Sequence, residues 1–191
     1  IKNKKNSKIQ SRGWFRIWLK KNDRVGTGGD MIKKSCRACN SKKLTKILSL
    51  GDSPLANNLL DGPVKCDVYP LELNLCLDCY NVQLSYVVQP DKMFKNYLYV
   101  SSTTKSFRDH FKKAAMGYIR RFNLTENSFV VDIGSNDGIG LKPLAEKGIK
   151  VLGIEPASNV CKIAVENGVD TICSYFNTDI VNKIKKKVDL V

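Results

Sequence analysis

The sequence reads as an α/β protein built from two unlike parts, a small metal-stapled β-rich domain followed by the first half of a parallel sheet. Three observations carry this reading. Two C-x-x-C pairs, Cys36/Cys39 and Cys76/Cys79, enclose short β-like runs. The apolar period then changes to three- and four-residue steps across residues 105–122. From residue 129 onward, apolar strands and helical segments alternate at short spacing, the signature of βαβ units.

The 191 residues, 42% of them hydrophobic, have the composition of a globular protein with one ordinary core or two small ones. The net charge of +14 would suggest an anionic partner, but it is unevenly spread. Residues 1–30 hold nine Lys/Arg against Asp23 and Asp30, half of the excess, with an aromatic cluster at Trp14, Phe15 and Trp18 and a Gly-rich end before Met31. This segment is expected to be a basic tail or a non-native leader ahead of a start at Met31. No stretch has the length of a membrane span and the N-terminus lacks a signal-peptide pattern, so a cytoplasmic location without membrane contact is expected.

Residues 31–88 form the expected zinc-binding domain, with β-like runs in "DVYPLELNLC" and "VQLSYVV" bounded by turn residues. A C-x-x-C turn points two sulfurs at one ion, and two such turns close a tetrahedral thiolate shell around structural zinc. Dithiol redox chemistry competes for a single C-x-x-C. Two pairs in one small segment favour zinc. The remaining Cys66, Cys161 and Cys173 are expected to be ordinary buried thiols, as suits a reducing compartment.

Residues 89–125 form a linker and a docking helix. Phe107, Phe111, Ala114, Ala115, Tyr118, Ile119 and Phe122 lie on one helical face, with Arg108, Lys112, Lys113 and Arg120 on the other. His110, the single histidine, is expected on this helix as a surface or domain-interface residue rather than a base. Residues 126–191 supply strands "FVVDIG", "KVLGIE" and "DTICSYF", with helices around "LKPLAEKG", "SNVCKIAVENG" and "TDIVNKIKKK". Ser158 or Asn159 is the expected cap of the second helix and Gly168 its end. This is part of a Rossmann-like sheet, and "VDLV" at the end reads as a fourth strand just beginning. The chain therefore reads as truncated, the front of a longer protein.

The loop "VVDIGSNDGIG" follows a strand, as a cofactor loop should, but departs from G-x-G-x-x-G at Asn136. A pyrophosphate needs bare backbone N–H groups at such a turn. Asn136 and Asp137 spoil that approach. An acid-bearing loop better matches a cofactor with sulfonium and ammonium groups and no phosphate, S-adenosylmethionine. Asp132 would face its methionyl part, Gly134, Asn136 and Gly138 would form the loop, and Glu155 at the next strand end would accept the ribose hydroxyls. NAD would suit Glu155 equally, so this acid does not discriminate.

Five separated motifs, "CRACNSKKL…LSLGDSPLANNLL", "YPLELNLCLDCYNVQLSYVV", "MFKNYLYVSSTTKSFRDHF", "VVDIGSNDGIGLKPL" and "VLGIEPASNV", together resemble the N-terminal half of the sugar C-methyltransferases that act on nucleotide-linked keto-deoxysugars. The resemblance runs from about Met31 to the last residue; residues 1–30 have no counterpart. It implies a class I methyltransferase sheet, a structural zinc on Cys36, Cys39, Cys76 and Cys79, and an S-adenosylmethionine site at Asp132–Gly138 with Glu155. Where the family usually has Glu, this chain has Asp132. Tyr99 best matches the catalytic tyrosine, with Tyr97 as its alternative. The resemblance puts the catalytic histidines and glutamate, and the domain completing nucleotide-sugar binding, past Val191, so the chain is expected to be inactive alone. Two other functions compete: a zinc-ribbon module whose basic arm holds nucleic acid, and an NAD-dependent oxidoreductase. The first requires basic and aromatic residues interleaved on one face, which occur only in residues 1–30. Nucleic acid is thus not an expected partner.

Overall fold

The computed structural model describes residues 31–56, 58–60 and 62–191. The expected tail or leader at 1–30 lies outside the described residues. Strand β1 (Met31–Ile32) pairs antiparallel with β5 (Tyr86–Val87), and β2 (Leu44–Pro54), β3 (Val68–Cys76) and β4 (Val82–Leu84) form an antiparallel sheet in that order. The β2–β3 ladder shifts register between Lys46 and Leu48 and again between Ser49 and Asp52, where Gly51 has φ 76°. Such bulges bend an edge and discourage pairing with another chain.

A short helix α1 (Pro90–Phe94) and a 3₁₀ turn at Ser101–Thr103 lead to α2 (Lys105–Phe122), whose range matches the periodic pattern. Thr104 caps it by accepting from the Phe107 N–H, and Asn123, left-handed at φ 51°, ends it. The helix packs through Ala115, Met116 and Ile119 onto Leu124, Val130, Leu141, Leu144, Ile149 and Val169. Phe107, Tyr118 and Phe122, expected on the docked face, are instead more than 40% exposed. The stripe is wider than the surface available to cover it.

Strands β6 (Phe129–Ile133), β7 (Lys150–Ile154) and β8 (Thr171–Ile172) are parallel, in the order β6-β7-β8. Helices α3 (Lys142–Ala145), α4 (Ser158–Glu166) and α5 (Thr178–Lys183) alternate with them. Leu190 makes a parallel bridge to Val130 on the free side of β6, and its carbonyl accepts from the Val131 N–H at 3.0 Å. The segment expected as a fourth strand therefore joins beside the first, giving the spatial order β8, β7, β6, Leu190. A second apolar cluster, Val131, Ile154 and Ile180, fills the α5 face of the sheet.

Three expectations need correction. The strand read over "DTICSYF" is ordered as β structure only at Thr171–Ile172, because Cys173 turns away to bond Cys161 on α4 as a disulfide with a Cα–Cα distance of 5.8 Å. Neither cysteine is a thiol here, and Cys173 is exposed. Cys66 is half-buried and free. The α4 cap is Ala157, without a side-chain bond, since the Asn159 amide is engaged elsewhere; Gly168 follows the helix at φ 80° as expected.

Sheet and loop meet most closely at Gly153. A Cβ there would lie 2.5 Å from Ser135 Oγ and 2.9 Å from Thr171 Oγ1. Gly153→Ala is expected to destabilise the folded chain by about 1–3 kcal/mol through overpacking. Urea unfolding should show that loss, and adding Ser135→Ala should recover part of it; a Gly153→Ala chain as stable as the parent would mean that the loop is not wedged against β7.

Candidate functional site

The four paired cysteines come together. Cys36 Sγ and Cys79 Sγ lie 3.6 Å apart, as do Cys39 Sγ and Cys76 Sγ, and all four sulfurs are within 4.8 Å of one another. Zn–S bonds of about 2.3 Å in a tetrahedron require S···S edges of about 3.8 Å, so the donor set fits one zinc with no open position. Two like turns present the sulfurs. The Asn40 N–H bonds the Cys36 carbonyl and the Tyr80 N–H bonds the Cys76 carbonyl, with Asn40 and Tyr80 left-handed at φ 63° and 60°.

The electrostatics call for a cation. Cys36 is pulled down to about 6, first by the backbone N–H of Cys39, against its burial. Cys79 is pushed up to about 12: the Asn81 N–H lowers it, but its contacts with the other three sulfurs, and the partial desolvation they bring, prevail. Neighbouring thiols cannot all ionise together, and a divalent ion removes that repulsion.

Residues outside the quartet fix the turns. Buried Gln83 on β4 accepts from the Arg37 N–H at 2.8 Å and donates to the Ser35 carbonyl at 3.1 Å. Asp78 between the second pair accepts from Ser41 at 2.7 Å and from Lys43 at 3.0 Å, joining the two turns. Reading the sequence missed both; a Gln in an otherwise apolar strand was the available signal for the first.

The expected cofactor residues also converge. Gly134 and Ser135 both donate to the Ile154 carbonyl at the end of β7. Glu155, 7% exposed, accepts from the Asn136 N–H through Oε2 and from the Ala157 N–H through Oε1, both at 2.9 Å. The acid expected to meet a ribose thus anchors the loop as well, each oxygen keeping a second lone pair. Asp132 pairs in register with Gly153. Burial, and secondarily the charge of Glu155, raises the Asp132 carboxyl above its usual range. Gly134 at φ 75° and Gly138 at φ 80° give the turn its shape; a Cβ at Gly138 would strike Val169 at 2.8 Å, whereas nothing lies within 4 Å of one at Gly134.

The structure therefore presents two neighbouring acids and open space over Gly134, and no ion pair to either acid occurs among the described residues. That donor set fits a cationic group better than a phosphate. The Asn136 and Asp137 side chains turn to the segment that precedes α2. Asn136 Oδ1 accepts from the Ser101 N–H at 2.8 Å and its Nδ2 donates to the Tyr99 carbonyl at 3.1 Å. Asp137, 1% exposed, accepts from the Ser102 N–H through Oδ2 at 3.0 Å, while Oδ1 has no partner among the described residues. Tyr99 itself is 44% exposed, its ring edge-on to Tyr97 at 6.4 Å. His110 is an exposed residue of α2 that stacks on Phe107, as expected of a surface residue.

Cys76→Ser is expected to release the metal and unfold residues 31–88, because a three-sulfur site loses most of the folding energy that zinc supplies. Metal analysis and amide exchange of purified protein would measure this. Retention of one zinc per chain would remove Cys76 from the ligand set.

Comparison with known proteins agrees with this geometry. Residues 36–94 match a family model described as "Putative zinc binding domain", a stretch containing all four cysteines. The chain is also 34% identical over 152 residues to "C-methyltransferase NovU" of Streptomyces niveus, an alignment covering 78% of this chain and 36% of that protein. It thus spans about a third of the length of the curated relative it matches. No helix among the described residues is long and apolar enough to cross a membrane. With the cysteine quartet inside the matched zinc-binding stretch and the likeness continuing well beyond it, the chain belongs to the sugar C-methyltransferase family, as its N-terminal part.

Proposed function

We propose that the chain is the zinc-stabilised front portion of an S-adenosylmethionine-dependent C-methyltransferase acting on a nucleotide-linked keto-deoxysugar, a reading that rests on family membership and on the Asp132–Glu155 acid pair beside an open glycine loop. The strand order β8, β7, β6, Leu190 also supports it, since doubly wound nucleotide-cofactor folds run in that order and bind at the carboxyl ends of their strands. Residues 126–191 would be the partial Rossmann-like domain, 89–125 the linker and docking helix, and 31–88 the zinc domain. The rest of the active site and the nucleotide-sugar contacts would come from the remainder of the protein.

In this reading Asp132, Gly134, Asn136, Gly138 and Glu155 hold the cofactor. S-adenosylmethionine supplies, when bound, an electrophilic methyl group on a sulfonium. A keto group acidifies the hydrogen on the adjacent carbon, and removal of that proton leaves an enolate that can take the methyl. Tyr99 is the candidate on this chain to hold the enolate oxygen or move a proton there. Asp132 would supply a counter-charge to the cofactor's cationic end. Glu155 would keep the loop in register while its free lone pairs take the ribose hydroxyls.

Calorimetry on the full-length protein is expected to show binding of S-adenosylmethionine or its demethylated product and none of NAD. Tighter binding of NAD would overturn the reading in favour of an oxidoreductase, and salt-sensitive binding of DNA or RNA in place of both would favour the basic-arm module.

Asp132→Asn provides a second check, with a defined sign. The folded pKa of Asp132 lies above the ordinary 3.8, so the folded state binds the proton more tightly than the unfolded state. Its contribution to stability is present below 3.8 and lost as pH rises through the raised value. The ligand-free variant should therefore be the more stable at neutral pH, with a weaker pH slope in the acid range. It should also bind S-adenosylmethionine about 10–100-fold less tightly, the scale of one hydrogen bond to a charged group. Lower neutral stability with unchanged affinity would make Asp132 a structural acid only.

A further inference from the structure

Residues 97–102 cross beside the cofactor loop without belonging to any strand or helix until the turn at Ser101. Side chains of neighbouring elements take six of their main-chain groups. Asn159 on α4 accepts from the Tyr97 N–H at 3.1 Å and donates to the Tyr97 carbonyl at 2.7 Å. One amide thus takes both polar groups of one residue, as a neighbouring strand would. Asn136 bridges two residues further on, donating to the Tyr99 carbonyl and accepting from the Ser101 N–H. Asp137 then holds the Ser102 N–H, and Arg108 donates to the Ser102 carbonyl at 2.5 Å.

The chemistry requires an amide at both positions. A carboxylate would leave a carbonyl facing an acceptor, and an alkyl group would leave two main-chain groups without partners. Asn136 is also left-handed, at φ 50°, a conformation that asparagine tolerates better than most residues. Its own N–H is on Glu155, so the residue that faces Tyr99 is tied directly to the candidate ribose acid. The strap is fixed to the loop after β6 and to the helix after β7, the two elements that would surround the cofactor.

We propose that Asn136 and Asn159 are positioning residues, which clamp the Tyr97–Ser102 strap to the cofactor loop and so hold Tyr99 beside it. The clamp rests on the functional reading only in giving Tyr99 a task; the clamp itself is a statement about where the tyrosine is held. Binding at the loop and the setting of Tyr99 are coupled through Asn136, whose side chain belongs to one and whose main chain belongs to the other.

The test uses the full-length protein with 3-fluorotyrosine at position 99, observed by fluorine NMR, and S-adenosylhomocysteine as the probe in calorimetry. In the parent, Tyr99 should give one resonance away from that of unfolded protein, moving when the probe is added. Asn159→Asp, which lies in α4 and outside the loop, should shift the Tyr99 resonance towards the unfolded position at neutral pH. Probe affinity should stay within about threefold of the parent. Lowering the pH should restore the parent resonance, because a protonated carboxyl again donates to one main-chain group and accepts from the other. If that variant does not fold, Asn159→Ser removes the paired contact without adding charge and should give the same shift. An unchanged Tyr99 resonance in a folded Asn159 variant would overturn the clamp. Failure of the parent to bind the probe would overturn the functional reading alone, since the resonance still reports the strap.

Discussion

The Glu155 carboxylate is the interaction on which the candidate site depends. It is buried at the end of β7, and its two oxygens take one N–H from the loop after β6 and one from the start of α4. A buried carboxyl group is costly unless it is hydrogen-bonded, and each of its oxygens takes one of these two main-chain donors. The same bonds fix the loop at Asn136, so everything Asn136 and Asp137 hold is fixed in turn. Removing the carboxylate would leave two donors without partners and release the loop and the strap together.

The two halves of the chain are stabilised by different means. Among the described residues from 31 to 100, the only buried ones are Cys36, Cys76, Gln83 and Ser85. Two are metal-ligand candidates and the others are polar. So little apolar burial within these residues offsets little of their chain entropy, and a metal closure at the cysteine quartet would add to it. The parallel sheet needs no such closure, because Val131, Ile154 and Ile180 on one face and Val130, Leu141, Leu144 and Val169 on the other are buried among their neighbours.

Local features were legible in the sequence and non-local ones were not. The C-x-x-C spacing carries its own geometry, and the quartet assembles as it implies. The α2 range could be read because a helix is specified by residues three and four apart. The disulfide between Cys161 and Cys173, and the short β8 that results, could not, since spacing alone does not say which cysteines face each other. The asparagines show the same limit more sharply. Asn159 is a residue type that favours helix caps and lies in the first turn of α4, yet its partner is Tyr97, 62 residues earlier in the chain. Asn136 was legible as an exception to the glycine pattern, but its target, the Tyr99 carbonyl 37 residues away, was not.

That exception has a structural consequence. A side chain at position 136 carries an amide that holds a neighbouring segment. Glycine there would keep the left-handed turn but leave the Tyr99 carbonyl and the Ser101 N–H without this partner. Asp132 and Glu155 lie close enough for the charge of the second to raise the pKa of the first. The setting of the loop and of the Tyr99 main chain therefore follows from the same few residues between the ends of β6 and β7.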